Sequence, residues 1–68
     1  MSVARITEIK SSSKKSFEDA VQVGVDRANK TLKNVRGAWV KEMEVECGKD
    51  GRITEYRVLL KVTFILEE

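Results

Sequence analysis

A chain of 68 residues, 41% hydrophobic and 35% charged with a formal net charge of +2, has material for one small domain covering residues 1–68. Cys47 is the only cysteine and histidine is absent, so a disulfide within the chain and a histidine- or thiol-based zinc site are excluded, which leaves self-association to support so small a core. The balance of 13 Lys+Arg against 11 Asp+Glu is too even to point to nucleic acid by itself.

Residues 2–10 mix Val3, Ile6 and Ile9 with charged side chains and predict a first strand of imperfect alternation, which a bulge accommodates. Ser11-Ser12-Ser13 reads as a turn leading into a helix. Ser13 and Ser16 are both N-cap candidates, and Ser16 with Asp19 three residues on approximates a capping box. Phe17, Ala20, Val21, Gly24, Val25, Ala28, Leu32 and Val35 then recur at helical steps as one apolar stripe. Ala20, Gly24 and Ala28 leave the helix backbone bare. A glycine there costs about 1 kcal/mol relative to alanine, so close packing along that line is expected. Val23 lies off the stripe and is expected to face a neighbouring subunit; Gly37 reads as a helix stop or loop residue.

Residues 38–47 alternate, with Trp39, Lys41, Met43, Val45 and Cys47 on one side and Ala38, Val40, Glu42, Glu44 and Glu46 on the other. Gly48-Lys49-Asp50-Gly51 is a hairpin turn. A two-residue loop at Lys49-Asp50 sets Trp39 against Leu60 and Met43 against Tyr56, which puts Trp39 on the helix-covered face. A one-residue bulge transfers it to the face of Arg57. The last strand, residues 52–67, carries an unbroken apolar face at Tyr56, Val58, Leu60, Val62, Phe64 and Leu66, and spaces Ile53, Leu59 and Ile65 among charges on the other side.

The expected fold is therefore α+β, in the order β-α-β-β, with a three-stranded antiparallel sheet wrapped around one helix. A single helix covers one face of such a sheet, and Ile53, Leu59 and Ile65 on the open face favour a symmetric homo-oligomer. No apolar run approaches the ~20 residues of a membrane span. The opening residues lack the apolar core of a signal peptide, and the single free thiol suits a reducing, cytoplasmic setting.

Ser16-Phe17-Glu18-Asp19-Ala20-Val21, Thr31-Leu32-Lys33-Asn34-Val35, Val40-Lys41-Glu42, Glu55-Tyr56 and Val62-Thr63-Phe64-Ile65-Leu66-Glu67 follow one another in an order that resembles the dodecins over essentially the whole chain. The resemblance implies a hollow homododecamer of small subunits. It also implies non-catalytic storage or sequestration of a flavin, riboflavin or FMN, stacked in pairs between tryptophans of symmetry-related subunits. Two ligand positions depart from that pattern. The family tryptophan at the start of the second strand falls on Gly37, with Trp39 two residues later, and a family glutamine that hydrogen-bonds the flavin ring falls on Arg57.

Each candidate has a functional and an ordinary structural role. A shift of two along a strand keeps the same face, so Trp39 either offers a stacking surface or packs in the core or at an interface. Arg57 binds a phosphate or ring, or pairs with Glu42 or Glu55. Glu42, Glu44 and Glu46 form a carboxylate row at ~6.8 Å intervals, suited to a hard cation such as calcium or to salt bridges with Arg52 or Lys61. Some dodecin-like proteins that lack the tryptophan are associated with calcium, which makes a flavin-free, calcium-binding shell the alternative. Cys47, with no base partner, reads as a packing thiol. With no histidine, no nucleophile beside a base and no glycine-rich phosphate loop, an enzyme is not expected. A small nucleic-acid module using Arg27, Lys30, Lys33, Arg36 and Trp39 is opposed by the even charge and the single tryptophan. The expected partners are further copies of the chain and a small planar ligand, with no nucleic acid and no membrane.

Overall fold

The computed structural model describes residues 3–66 as β1 (Val3–Ser13), α1 (Phe17–Thr31), β2 (Val35–Cys47) and β3 (Ile53–Leu66). Ser2 and Glu67, the expected outer ends of the first and last strands, lie outside the described residues. The sheet is antiparallel with strand order β1-β3-β2, so β3, the strand with the unbroken apolar face, is central. Val58, Leu60 and Val62 on that face are fully buried beneath α1, together with Ala20 and Ala28 from the helix.

The helix sits close to the sheet because its inner line is small. A Cβ on Gly24 would stand 2.8 Å from Leu60 Cδ1 and 3.0 Å from Ser11 Cβ. Ser11 Oγ donates to the Ala20 carbonyl at 2.8 Å, tying β1 to the same line. Val23, off the stripe, is exposed.

The element boundaries correct several expectations. Ser11–Ser13 belongs to β1 and is not a turn. Ser16 is the N-cap, its hydroxyl accepting from the Asp19 N–H at 3.0 Å. Ser13 plays a supporting part, donating to Asp19 Oδ2 at 2.6 Å and accepting from the Lys15 N–H. The helix stops at Thr31, before the stripe does, and Leu32 is its C-cap. Asn34 adopts a left-handed φ of 60°, which asparagine tolerates, and its carbonyl accepts from the Ile65 N–H at 3.1 Å. That turn launches β2 at Val35, so Val35 and Gly37 are strand residues, not the helix end and its stop.

The hairpin loop is one residue longer than expected. Gly51 N–H donates to the Gly48 carbonyl at 3.0 Å, Gly48 N–H to the Arg52 carbonyl at 2.9 Å, and Gly51 holds φ at 81°. This is a three-residue loop whose last residue must be left-handed, hence glycine. Further register shifts follow between Glu46 and Cys47, Val40 and Glu42, and Val35 and Gly37. As a result Trp39 pairs with Lys61 instead of Leu60, and Met43 with Val58 instead of Tyr56. The shift at Lys41 reverses the alternation within β2. Val40, Met43 and Val45 pair with the helix-side residues Leu60, Val58 and Tyr56, whereas Trp39, Glu42, Glu44 and Glu46 pair with Lys61, Leu59, Arg57 and Glu55 on the open face. Ile53 pairs with Cys47, outside the row of Leu59 and Ile65, and Cys47 is exposed instead of packed.

The sheet outruns its helix. Fifteen helical residues extend ~22 Å and the 14 residues of β3 ~47 Å. Met43, Val45 and Ile53 at the hairpin end therefore remain exposed. The Cα radius of gyration is 14.0 Å, against about 11 Å for a compact chain of this length.

Substitution of Gly24 tests the close helix–sheet contact. Alanine improves helix propensity by about 1 kcal/mol, but overpacking against buried Leu60 costs ~1–3 kcal/mol. Gly24→Ala is expected to lower stability by roughly 1 kcal/mol and Gly24→Val by more, read from urea unfolding. A stabilised Gly24→Ala would show that the contact is loose.

Candidate functional site

The face of the sheet turned away from α1 gathers the chemistry-bearing side chains. Across it run Glu8, Lys61 and Trp39, then Lys10, Leu59 and Glu42, then Ser12, Arg57 and Glu44, with Glu55 and Glu46 beyond. Both sequence-derived ligand candidates, Trp39 and Arg57, thus share one face, with the three carboxylates beside them. The bulge at Lys41 brings this about, since strict alternation separates Trp39 from the glutamates.

Trp39 is the most exposed large apolar side chain described, at 66%. Its ring lies 5.4 Å from the Lys61 ammonium, a cation–π contact. The other basic side chains of the face are held by carboxylates. Lys10 Nζ pairs with Glu44 Oε1 at 3.2 Å and Lys41 Nζ with Glu8 Oε1 at 3.2 Å. Arg57 donates through Nε to Glu55 Oε1 at 3.0 Å and through Nη2 to Glu46 Oε2.

These pairs differ from the expected ones. Arg57 is held by Glu55, as one reading had it, and by Glu46 instead of Glu42. The glutamate row is met by Lys10 and Arg57, while Arg52 turns to Asp50 in the loop and Lys61 to Trp39. Glu42 has no ion pair among the described residues. The carboxylates do not converge, and among the described residues no three His, Cys, Asp or Glu groups gather closely enough to hold a metal.

The Arg57 hydrogen bond is the largest influence on Glu55. It holds the carboxyl below its ordinary value of 4.5, against partial desolvation that raises it; a Ser12 hydrogen bond and the Lys14 charge add to the lowering. A depression of 390 Å³ lies over this region, lined in part by Lys10, Glu44, Arg57 and Leu59. A second depression, 600 Å³, runs between α1 and β1 past Ile9, Val23 and Arg27, but no aromatic ring lines it for a planar ligand to stack on.

Sequence reasoning missed Lys61 at Trp39, and with it Lys10, Lys41 and Glu8. The available signal was the lysine that interrupts Leu59 and Thr63 along the strand. Its partner depends on a pairing register that the bulges change.

The dodecin family model matches residues 3–67. A dodecin of Thermus thermophilus is 38% identical over 66 residues, covering 97% of this chain and 94% of the relative. The crystal structure of an arginine-to-alanine variant of Thermus thermophilus dodecin superposes with a TM-score of 0.91 at 37% identity, covering 100% of both chains. The dodecin of Streptomyces davaonensis gives 0.91 at 33% identity, over 98% of this chain and 97% of its own. A protein of Mycobacterium tuberculosis described as a calcium-chelating immunodominant antigen, calcium dodecin, gives 0.81 at 31% identity, covering 96% of this chain and 91% of its own.

The Arg57–Glu55 pair has a pH signature. A carboxyl lowered in the folded state contributes stability above its ordinary value of 4.5, and that contribution is lost as pH falls through the lower, folded value. In Arg57→Gln the Glu55 midpoint should rise toward 4.5 in a carboxyl NMR titration. The melting advantage of the native chain over the variant should shrink on acidification. An unmoved Glu55 midpoint would show that Arg57 does not hold this carboxylate.

Proposed function

The chain belongs to the dodecin family, and from that premise we propose that it binds and stores, or sequesters, a flavin or a similar planar cofactor without catalysing a reaction on it, inside a closed homo-oligomer. The observation that carries this reading is an indole two-thirds exposed on the same sheet face that carries the oriented Arg57 donors. A tryptophan so placed costs apolar exposure in the lone subunit and offers a flat platform for an aromatic ring. Trp39 is the stacking surface, paired with its copy from a neighbouring subunit. Arg57, its guanidinium oriented by Glu55 and Glu46, is the donor to a ring carbonyl.

The subunit itself supports assembly. Its described buried apolar residues are Ala20, Ala28, Val58, Leu60 and Val62, while Val3, Ile6, Val23, Met43, Val45, Ile53 and Leu66 are exposed. So small a core seldom supplies more than ~3–5 kcal/mol, and association buries what folding leaves out. A dodecamer is the form the resemblance favours, and the single free thiol suits a reducing, cytoplasmic setting.

Calcium is the second reading, favoured by similarity to the calcium dodecin and by Glu42 having no ion pair among the described residues. Pairing of Glu44 with Lys10 and of Glu46 with Arg57 weighs against it, because a cation must displace both partners.

Native mass spectrometry is expected to show a closed multimer of about twelve chains; a stable monomer at micromolar concentration would remove the assembly. Riboflavin and FMN fluorescence is expected to be quenched on titration. Trp39→Ala should weaken binding about ten- to a hundredfold, from lost stacking and buried ring area. Absence of quenching at tens of micromolar protein would rule out the flavin.

A further inference from the structure

We propose that Lys61 makes the Trp39 platform selective for negatively charged planar ligands over neutral ones, an inference that rests on reading Trp39 as the stacking surface. Each of the other basic side chains drawn into this face is already committed: Lys10 to Glu44, Lys41 to Glu8, and Arg57 to both Glu46 and Glu55. Lys61 has no carboxylate within ion-pair distance among the described residues. Glu8, its cross-strand neighbour on β1, is taken by Lys41 from the far side of the sheet. The Lys61 side chain is half-buried on the central strand, and its ammonium stands 5.4 Å from the indole centroid.

A ring that stacks on Trp39 meets this charge in one of two ways. A neutral ring displaces the ammonium from the indole face and forfeits the cation–π contact. A ligand bearing phosphate or another anionic group keeps the ammonium beside it as a counter-ion, in a partly buried setting where the attraction is screened less than in water. Arg57 does not serve in that role. With Glu46 and Glu55 it forms a cluster of one cation and two anions, net negative, which opposes an added phosphate even as its remaining N–H groups stay available to a neutral carbonyl. Donor and charge reader are therefore different residues, Arg57 for the ring and Lys61 for the charge.

Trp39 is the only tryptophan, so its emission reports on this site alone. The test titrates the native chain, Lys61→Gln and Lys61→Arg with riboflavin and with FMN at low and high salt. Iodide and caesium quenching of Trp39 is measured in the ligand-free proteins. The native chain should bind FMN roughly five- to tenfold more tightly than riboflavin at low salt, an advantage that salt erodes. Lys61→Gln should bring the ratio to about one to two by weakening FMN and sparing or strengthening riboflavin, while Lys61→Arg keeps it. Iodide should quench native Trp39 more strongly than caesium does, and lose that advantage in Lys61→Gln. A ratio unchanged by Lys61→Gln overturns the proposal, as does tighter binding of riboflavin by the native chain. Failure of both flavins to bind counts against the stacking reading alone. In that event the ion quenching decides for Lys61: equal quenching by iodide and caesium overturns its role, and an iodide preference lost in Lys61→Gln supports it.

Discussion

The pairing of β2 with β3 is the constraint on which the open face depends. Side chains alternate with a period of two, so each extra residue in one strand exchanges the faces of everything beyond it. The left-handed Gly51 lengthens the loop by one residue, and the shift at Lys41 divides β2 into halves of opposite sense. Toward the hairpin, Met43 and Val45 face the helix side and the glutamates face away. Past the shift, Val40 and Ala38 take over the helix side and Trp39 joins the glutamates. One irregular residue thus serves two needs that strict alternation sets against each other: apolar residues on the helix side in both halves of the strand, and an aromatic ring among charges on the other side.

Packing makes the same strand pairing costly to change. Leu60 lies against Gly24 so closely that a methyl group between them is crowded, and Ser11 closes the line from β1. A slip of β3 by one residue would present Leu59 or Lys61 to a helix backbone with no room for either. The narrow contact also limits what the subunit buries. A helix less than half the length of the central strand leaves apolar side chains bare at the hairpin end, and with one cysteine and no histidine neither a disulfide within the chain nor a histidine- or thiol-based zinc site compensates.

The ion pairs of the open face act on geometry more than on stability. Lys10–Glu44 and Lys41–Glu8 are well exposed, and such pairs typically contribute no more than about 1 kcal/mol. Their effect is to neutralise and hold two lysines of this face. Arg57 is held twice, so its plane is oriented although its charge is outweighed. The ammonium left over sits on the indole.

Much of the fold was legible in the sequence. The stripe through Ala20, Gly24 and Ala28 announced both the helix and its close contact. The apolar run from Tyr56 to Leu66 announced the strand that proved central, and the Gly48–Gly51 segment announced the hairpin. The motifs at the helix start and the last strand carried the family, because local periodicity and short-range turn chemistry are written in neighbouring residues. Less legible was what depends on counting across strands. Ser11–Ser13 reads as a turn by composition, yet continues β1 because β3 supplies its partners. Trp39 could be assigned to either face until the bulges were located, since a one-residue insertion leaves no periodic mark in a strand that already mixes valine with glutamate. The ion pairs follow the same rule: residue identity made Arg57 and the glutamate row candidates, but only the register decided that Arg57 meets Glu46, that Lys10 meets Glu44, and that Lys61 is left to the ring.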